Sequence, residues 1–146
     1  MPAPDLEELT SRFFARWAVS FETMTAAFTE VLAPDCVWEQ RPVVTHSRRG
    51  ALGFLRLARR FLGLESVVVE VRHLARDGDT VLTDRVDHML RADGTLIASV
   101  PIVGVLSFRG TELVAWRDHM GVPAMVGRIV LGTVRRRPLR PTGSDD

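Results

Sequence analysis

Arg85 and Asp87 stand two residues apart in the run Val81-Leu82-Thr83-Asp84-Arg85-Val86-Asp87-His88-Met89-Leu90, whose valines and leucines suit a β-strand. Alternate residues of a strand share a face, so this spacing projects a guanidinium and a carboxylate to the same side. A second carboxylate, Asp118, ends Leu113-Val114-Ala115-Trp116-Arg117-Asp118 on the same alternation as Trp116 and Val114, which makes it a candidate to face inward. Two carboxylates in one apolar cavity cannot both ionise cheaply. With Arg85 between them, the least costly state has one acid charged, the other protonated and the guanidinium positive, neutral overall. That state offers a general base and a general acid at one pH. The planar fork of an arginine has donors enough to orient both partners. The same spacing also suits a salt-bridge ladder on a solvated edge strand, and the pattern alone leaves both readings open.

The elements that would have to position these groups can be read from periodicity. Asp5 with Glu8 forms a capping-box pattern ahead of Leu6, Leu9, Phe13, Phe14 and Trp17, which recur at helical spacing. Ser20 can cap a second helix carrying Phe21, Met24, Ala27, Phe28 and Val31, stopped by Ala33-Pro34-Asp35. A short strand is expected over Cys36–Arg41, ending at Pro42, then a polar loop over His46–Gly50 and a third helix over Ala51–Leu62. On that helix Leu52, Leu55, Ala58 and Leu62 share one side and Arg49, Arg56 and Arg60 another, most simply its wet face. From Ser66 the period becomes two. Strands are expected over Ser66–Arg76, Thr80–Arg91, Thr95–Phe108 and Glu112–Met120, separated by turns at Asp77-Gly78-Asp79, Ala92-Asp93-Gly94 and Arg109-Gly110. Pro123 can open a short helix through Leu131. Helices followed by hairpin-linked strands predict an α+β domain over residues 1–132, with a flexible basic tail over 133–146. A curved, mainly antiparallel sheet closed on one face by three helices makes a cone with an apolar pocket.

Composition removes many alternatives. The 146 residues suit one domain, and 46% apolar with 25% charged residues is ordinary globular composition. Every one of the 19 basic residues is arginine and there is no tyrosine, which excludes lysine Schiff-base chemistry and any tyrosine mechanism. A net charge of +1 argues against nucleic acid as the main partner, and the apolar runs are too short to predict a membrane span. The acidic start lacks the pattern of a secretion signal, and the single Cys36 suits a reducing compartment, so a cytoplasmic location is expected. His46, His73, His88 and His119 show no metal-ligand spacing, so neither metal nor cofactor is expected. His119 alternates to the strand face opposite Asp118. No nucleophile elbow, dinucleotide fingerprint or phosphate loop is present.

Thr83-Asp84-Arg85-Val86-Asp87, Ile102-Val103-Gly104-Val105-Leu106 and Ala115-Trp116-Arg117-Asp118 resemble the limonene-1,2-epoxide hydrolase family, within the cone-shaped folds like nuclear transport factor 2 and SnoaL. The likeness runs over most of residues 5–122 in element order and is specific mainly in Val81–Met120. It implies one-step addition of water to an epoxide, with Asp118 as base, Asp87 as acid and Arg85 holding both. It also implies water- or substrate-positioning roles for Trp38, Gln40 and Trp116. The family's tyrosine and asparagine on the first strand are replaced here by Trp38 and Gln40. An indole N–H donates but cannot accept, whereas the amide of Gln40 can accept; a core aromatic is the equal alternative for Trp38. His119 and Gly121 also depart from the family pattern. The apolar walls predict a lipophilic, cyclic, terpene-like or fatty epoxide. Apolar strand surface over Thr95–Phe108 predicts a twofold homodimer. A cyclase or isomerase of the same fold, and a non-catalytic binding domain, are the competing readings.

Overall fold

The structure is a computed structural model, and it describes residues 3–120. Three helices and six strands follow one another as α1 (Leu6–Trp17), α2 (Phe21–Val31), β1 (Leu32–Gln40), β2 (Val43–Thr45), α3 (Arg48–Leu62), β3 (Leu64–Asp77), β4 (Thr80–Arg91), β5 (Leu96–Arg109) and β6 (Glu112–His119). The expected helix over 123–131 and the tail over 133–146 lie outside the described residues.

Each helix starts where a side chain takes up an orphan amide. Asp5 Oδ1 accepts from the Glu8 N–H at 3.0 Å, Ser20 Oγ from Thr23 N–H at 3.1 Å and Ser47 Oγ from Gly50 N–H at 2.9 Å. Glu8 turns outward to Arg12 at 3.3 Å, so only the Asp5 half of the capping-box pattern is seen. The Ser47 cap starts α3 three residues before the expected Ala51, because Gly50, which reads as loop, occupies the first turn. Gly63 ends that helix at φ 75°, a left-handed position that glycine adopts without strain.

The strands form one sheet in the order β2-β1-β6-β5-β4-β3. All pairs are antiparallel except β1 with β6, which run parallel and bring the N-terminal strand beside the last one. The sequence reading begins this strand at Cys36 and is corrected here: β1 starts at Leu32, directly after α2. Leu32 already pairs with Leu113, and regular pairing resumes at Val37 opposite Ala115. Pro34 lies within that register shift, where a residue without an N–H costs no ladder bond. The strand β2 is an addition: three residues fold back after Pro42 to pair with Trp38, Glu39 and Gln40. The helices cover the concave face. Phe13, Trp17, Phe28, Trp38 and Trp116 pack there as one aromatic cluster, with Trp38 stacked on Trp116 at 4.4 Å between centroids.

Candidate active site

Alternation along β4 turns Val81, Thr83, Arg85 and Asp87 to the helix-covered face, and all four are buried. The same alternation on β6 buries Trp116 and Asp118, while Arg117 and His119 are exposed on the outer face. The salt-bridge ladder on a solvated edge, left open by the sequence, is thereby removed: β4 is an interior strand and Arg85 is 0% exposed.

Arg85 lies between the two carboxylates. Its Nε donates to Asp87 Oδ1 at 3.0 Å, its Nη2 to Asp118 Oδ1 at 3.0 Å and its Nη1 to Thr83 Oγ1 at 2.9 Å. The Phe14 ring covers the guanidinium with its centroid 5.0 Å from Cζ, a cation–π contact. Thr83 and Phe14 escaped the sequence reading of the site. Thr83 carried a usable signal, since it continues the two-residue spacing of Arg85 and Asp87, whereas nothing local ties Phe14 to a strand so far along the chain.

The two acids differ in what they accept. Asp118 Oδ1 takes a second bond from Trp116 Nε1 at 2.8 Å, and Oδ2 takes one from Trp38 Nε1 at 3.3 Å. Among the described residues Asp87 has only the Arg85 bond. Burial, opposed by Arg85 and reinforced by the Asp118 charge, pushes the Asp87 carboxyl up to about 6. Burial alone pulls Arg85 down, but the charges of Asp118 and Asp87 outweigh it and its pKa is raised. The arrangement therefore holds a fixed cation, an acid inclined to keep its proton and a second carboxyl group that accepts from three N–H donors.

Both acids line a pocket of about 300 Å³ whose other walls are mainly apolar, among them Phe54, Leu55, Val100 and Ile102. Trp38, Gln40 and Trp116 line it too, so all six residues singled out in the sequence are brought together. The indole of Trp38, for which the sequence left a water-donor role and a core-aromatic role equally open, is buried, donates to the Asp118 carboxylate and stacks on Trp116. Gln40 Nε2 is buried and has no partner among the described residues.

A sheet of this order with two carboxyl groups and an arginine inside its cone defines a class, and comparison with known proteins gives the family. A SnoaL-like domain matches residues 10–119, and the chain belongs to that family. It is 31% identical over 115 residues to epoxide hydrolase EphG of Mycobacterium tuberculosis, covering 78% of this chain and 71% of that one. Its fold is similar to that of an M. tuberculosis LEH-like epoxide hydrolase, with a TM-score of 0.70, 20% identity and coverage of 88% of this chain and 92% of the other. It is also similar to a polyketide cyclase described from Sinorhizobium meliloti, with a TM-score of 0.60, 17% identity and coverage of 79% and 96%.

Proposed function

We propose that the protein is an epoxide hydrolase that adds water to a lipophilic epoxide and releases a vicinal diol. The observation that carries this reading is the unequal setting of two acids on one guanidinium: among the described residues Asp118 accepts from three N–H groups, one of Arg85 and two of indoles, and Asp87 from one. Asp118 takes a proton from water as the water oxygen attacks one epoxide carbon. The carbon–oxygen bond of the ring breaks, and its electron pair leaves on oxygen. Asp87 protonates that oxygen, so no free alkoxide forms. Arg85 remains charged throughout and keeps the two acids in register. At the end Asp118 carries a proton and Asp87 a charge, and exchange with solvent resets them. Gln40 is the side chain in the pocket with an amide free to orient the water, while Trp38 and Trp116 hold the base.

The apolar walls favour a cyclic or terpene-like substrate. Cys36 is buried, and burial with the nearby Asp35 pushes its thiol up to about 12, which suits an inert core residue in a reducing cytoplasm. We further assign a homodimer formed through the outer face of the sheet. Among the described residues no helix is long and apolar enough to cross a membrane.

The test is diol formation from cyclic and terpene epoxides in oxygen-labelled water. Label entering the diol in the first turnover supports direct attack by water; label withheld until later turnovers would mean a covalent ester and remove Asp118 as base. The similarity to a described polyketide cyclase supports one competitor, in which the base abstracts a proton beside a carbonyl. Solvent deuterium incorporation into a ketone without any diol formation from epoxides would favour it.

A further inference from the structure

We propose that Gly104 and Thr83 form a seat that carries Arg85 across the sheet to Asp118, making both of them positioning residues for the acid–base pair. The proposal rests on the reading of Arg85, Asp87 and Asp118 as one working unit. Arg85 is on β4 and Asp118 on β6, with β5 between them. Two strand spacings, about 10 Å, therefore separate the backbones that one side chain must join. Gly104 on β5 pairs with Thr83 on one side and with Asp118 on the other, so these three form a single cross-strand row. Arg85 starts two residues along on the same face, opposite Ile102, and crosses above that row.

Only a missing side chain leaves room for this path. A Cβ on Gly104 would lie 2.3 Å from Arg85 Nη1, 2.8 Å from Asp118 Oδ1 and 2.8 Å from Thr83 Oγ1. The guanidinium thus occupies the space a side chain would fill. Backbone conformation does not explain this glycine, since among the described residues the positive-φ glycines are Gly63, Gly78, Gly94 and Gly110. A glycine inside a strand otherwise weakens it, so its presence here fits close approach by another group. The second part of the seat is directional. Thr83 Oγ1 donates to the Gly104 carbonyl at 3.3 Å, which leaves a lone pair to accept from Arg85 Nη1. Each nitrogen of the guanidinium then has its own acceptor, on Asp87, Thr83 and Asp118.

The experiment compares Gly104→Ala, Thr83→Val and Thr83→Ser with the wild-type protein, by diol formation and by carbon-13 titration of the side-chain carboxyls. A misplacement of about an ångström costs on the order of 100-fold in rate, so kcat/KM is expected to fall roughly 100-fold in Gly104→Ala. Thr83→Val is expected to lose roughly tenfold and Thr83→Ser to recover most of that loss, because the serine hydroxyl keeps the bond. The titration needs no substrate. Removing the shared cation from the carboxylates should move the Asp87 step upward by about one pH unit or more in Gly104→Ala, and upward by less in Thr83→Val. If Gly104→Ala fails to fold, the contrast between valine and serine at position 83 decides alone. Wild-type titration in the folded variants overturns the proposal. Shifted titrations in a protein that hydrolyses no epoxide uphold the seat and reject the hydrolase reading instead.

Discussion

The division of labour proposed for Asp87 and Asp118 rests on donors more than on depth. The Asp118 side chain is the more buried, 2% exposed against 12% for Asp87, yet it faces three N–H groups where Asp87 faces one among the described residues. Asp118→Asn keeps the volume but cannot take up a proton, and its diol formation is expected to fall by a factor of roughly 10³ or more. Equal rates for the variant and the wild type would remove Asp118 from the mechanism. Asp87 gives a pH signature. Its carboxyl, at about 6 when folded, must be protonated to act, so kcat/KM should fall as pH rises through about 6. The same shift acts on stability. The unfolded aspartate titrates near ~4, so the native state binds more protons between about 4 and 6. Stability therefore declines as pH rises across that window and stays lower above it. Asp87→Asn should flatten the decline in chemical denaturation measured at pH 4 and pH 7. An undiminished slope would place the shifted proton on another group.

At the scale of elements, alternation and helical spacing made most of the architecture legible before any coordinates. Arg85 and Asp87 could be paired from spacing because one strand carries both. Asp118 could be assigned a face but not a neighbour, since its meeting with Arg85 depends on β5 lying between β4 and β6. Sheet order is a property of long-range pairing, and no local pattern encodes it. The same reason hid the start of β1: Pro34 reads as a break, and only the pairing of Leu32 with Leu113 shows a strand running through it. Trp38 was legible as an inward aromatic, but its partner was not, because the N–H reaches Asp118 across the parallel β1–β6 pair. The packing of that pair yields a prediction of its own. Trp116→Phe preserves much of the aromatic contact with Trp38 but deletes the donor on Asp118 Oδ1. A lost buried bond to a charged group costs about 1.5–3 kcal/mol, so denaturant unfolding should register a loss of that size. A loss below about 0.5 kcal/mol would mean that the indole N–H does not support the carboxylate.

For the whole molecule, the helices leave the outer face of the sheet uncovered. Val68 on β3, Leu82 on β4 and Val103 on β5 are 39%, 44% and 53% exposed there, on adjacent strands. Leu82 pairs with Val105, and Val103 stands between Asp84 and His119, so polar groups flank these apolar residues. A patch with an apolar centre and a polar rim can match its own copy about a twofold axis. A stable pair buries roughly 800 Å² on each partner, which requires the strip and its rim together. The expected outcome is a dimer at micromolar concentration in sedimentation velocity. Val103→Arg would place a charge at the centre of that contact, where like charges from two copies meet without compensation, and should give monomers. Because Val103 points away from the pocket, the monomer should retain its fold and its carboxyl titration. A wild-type protein that sediments as a monomer throughout would rule out the self-association, while leaving the chemistry inside the cone untouched.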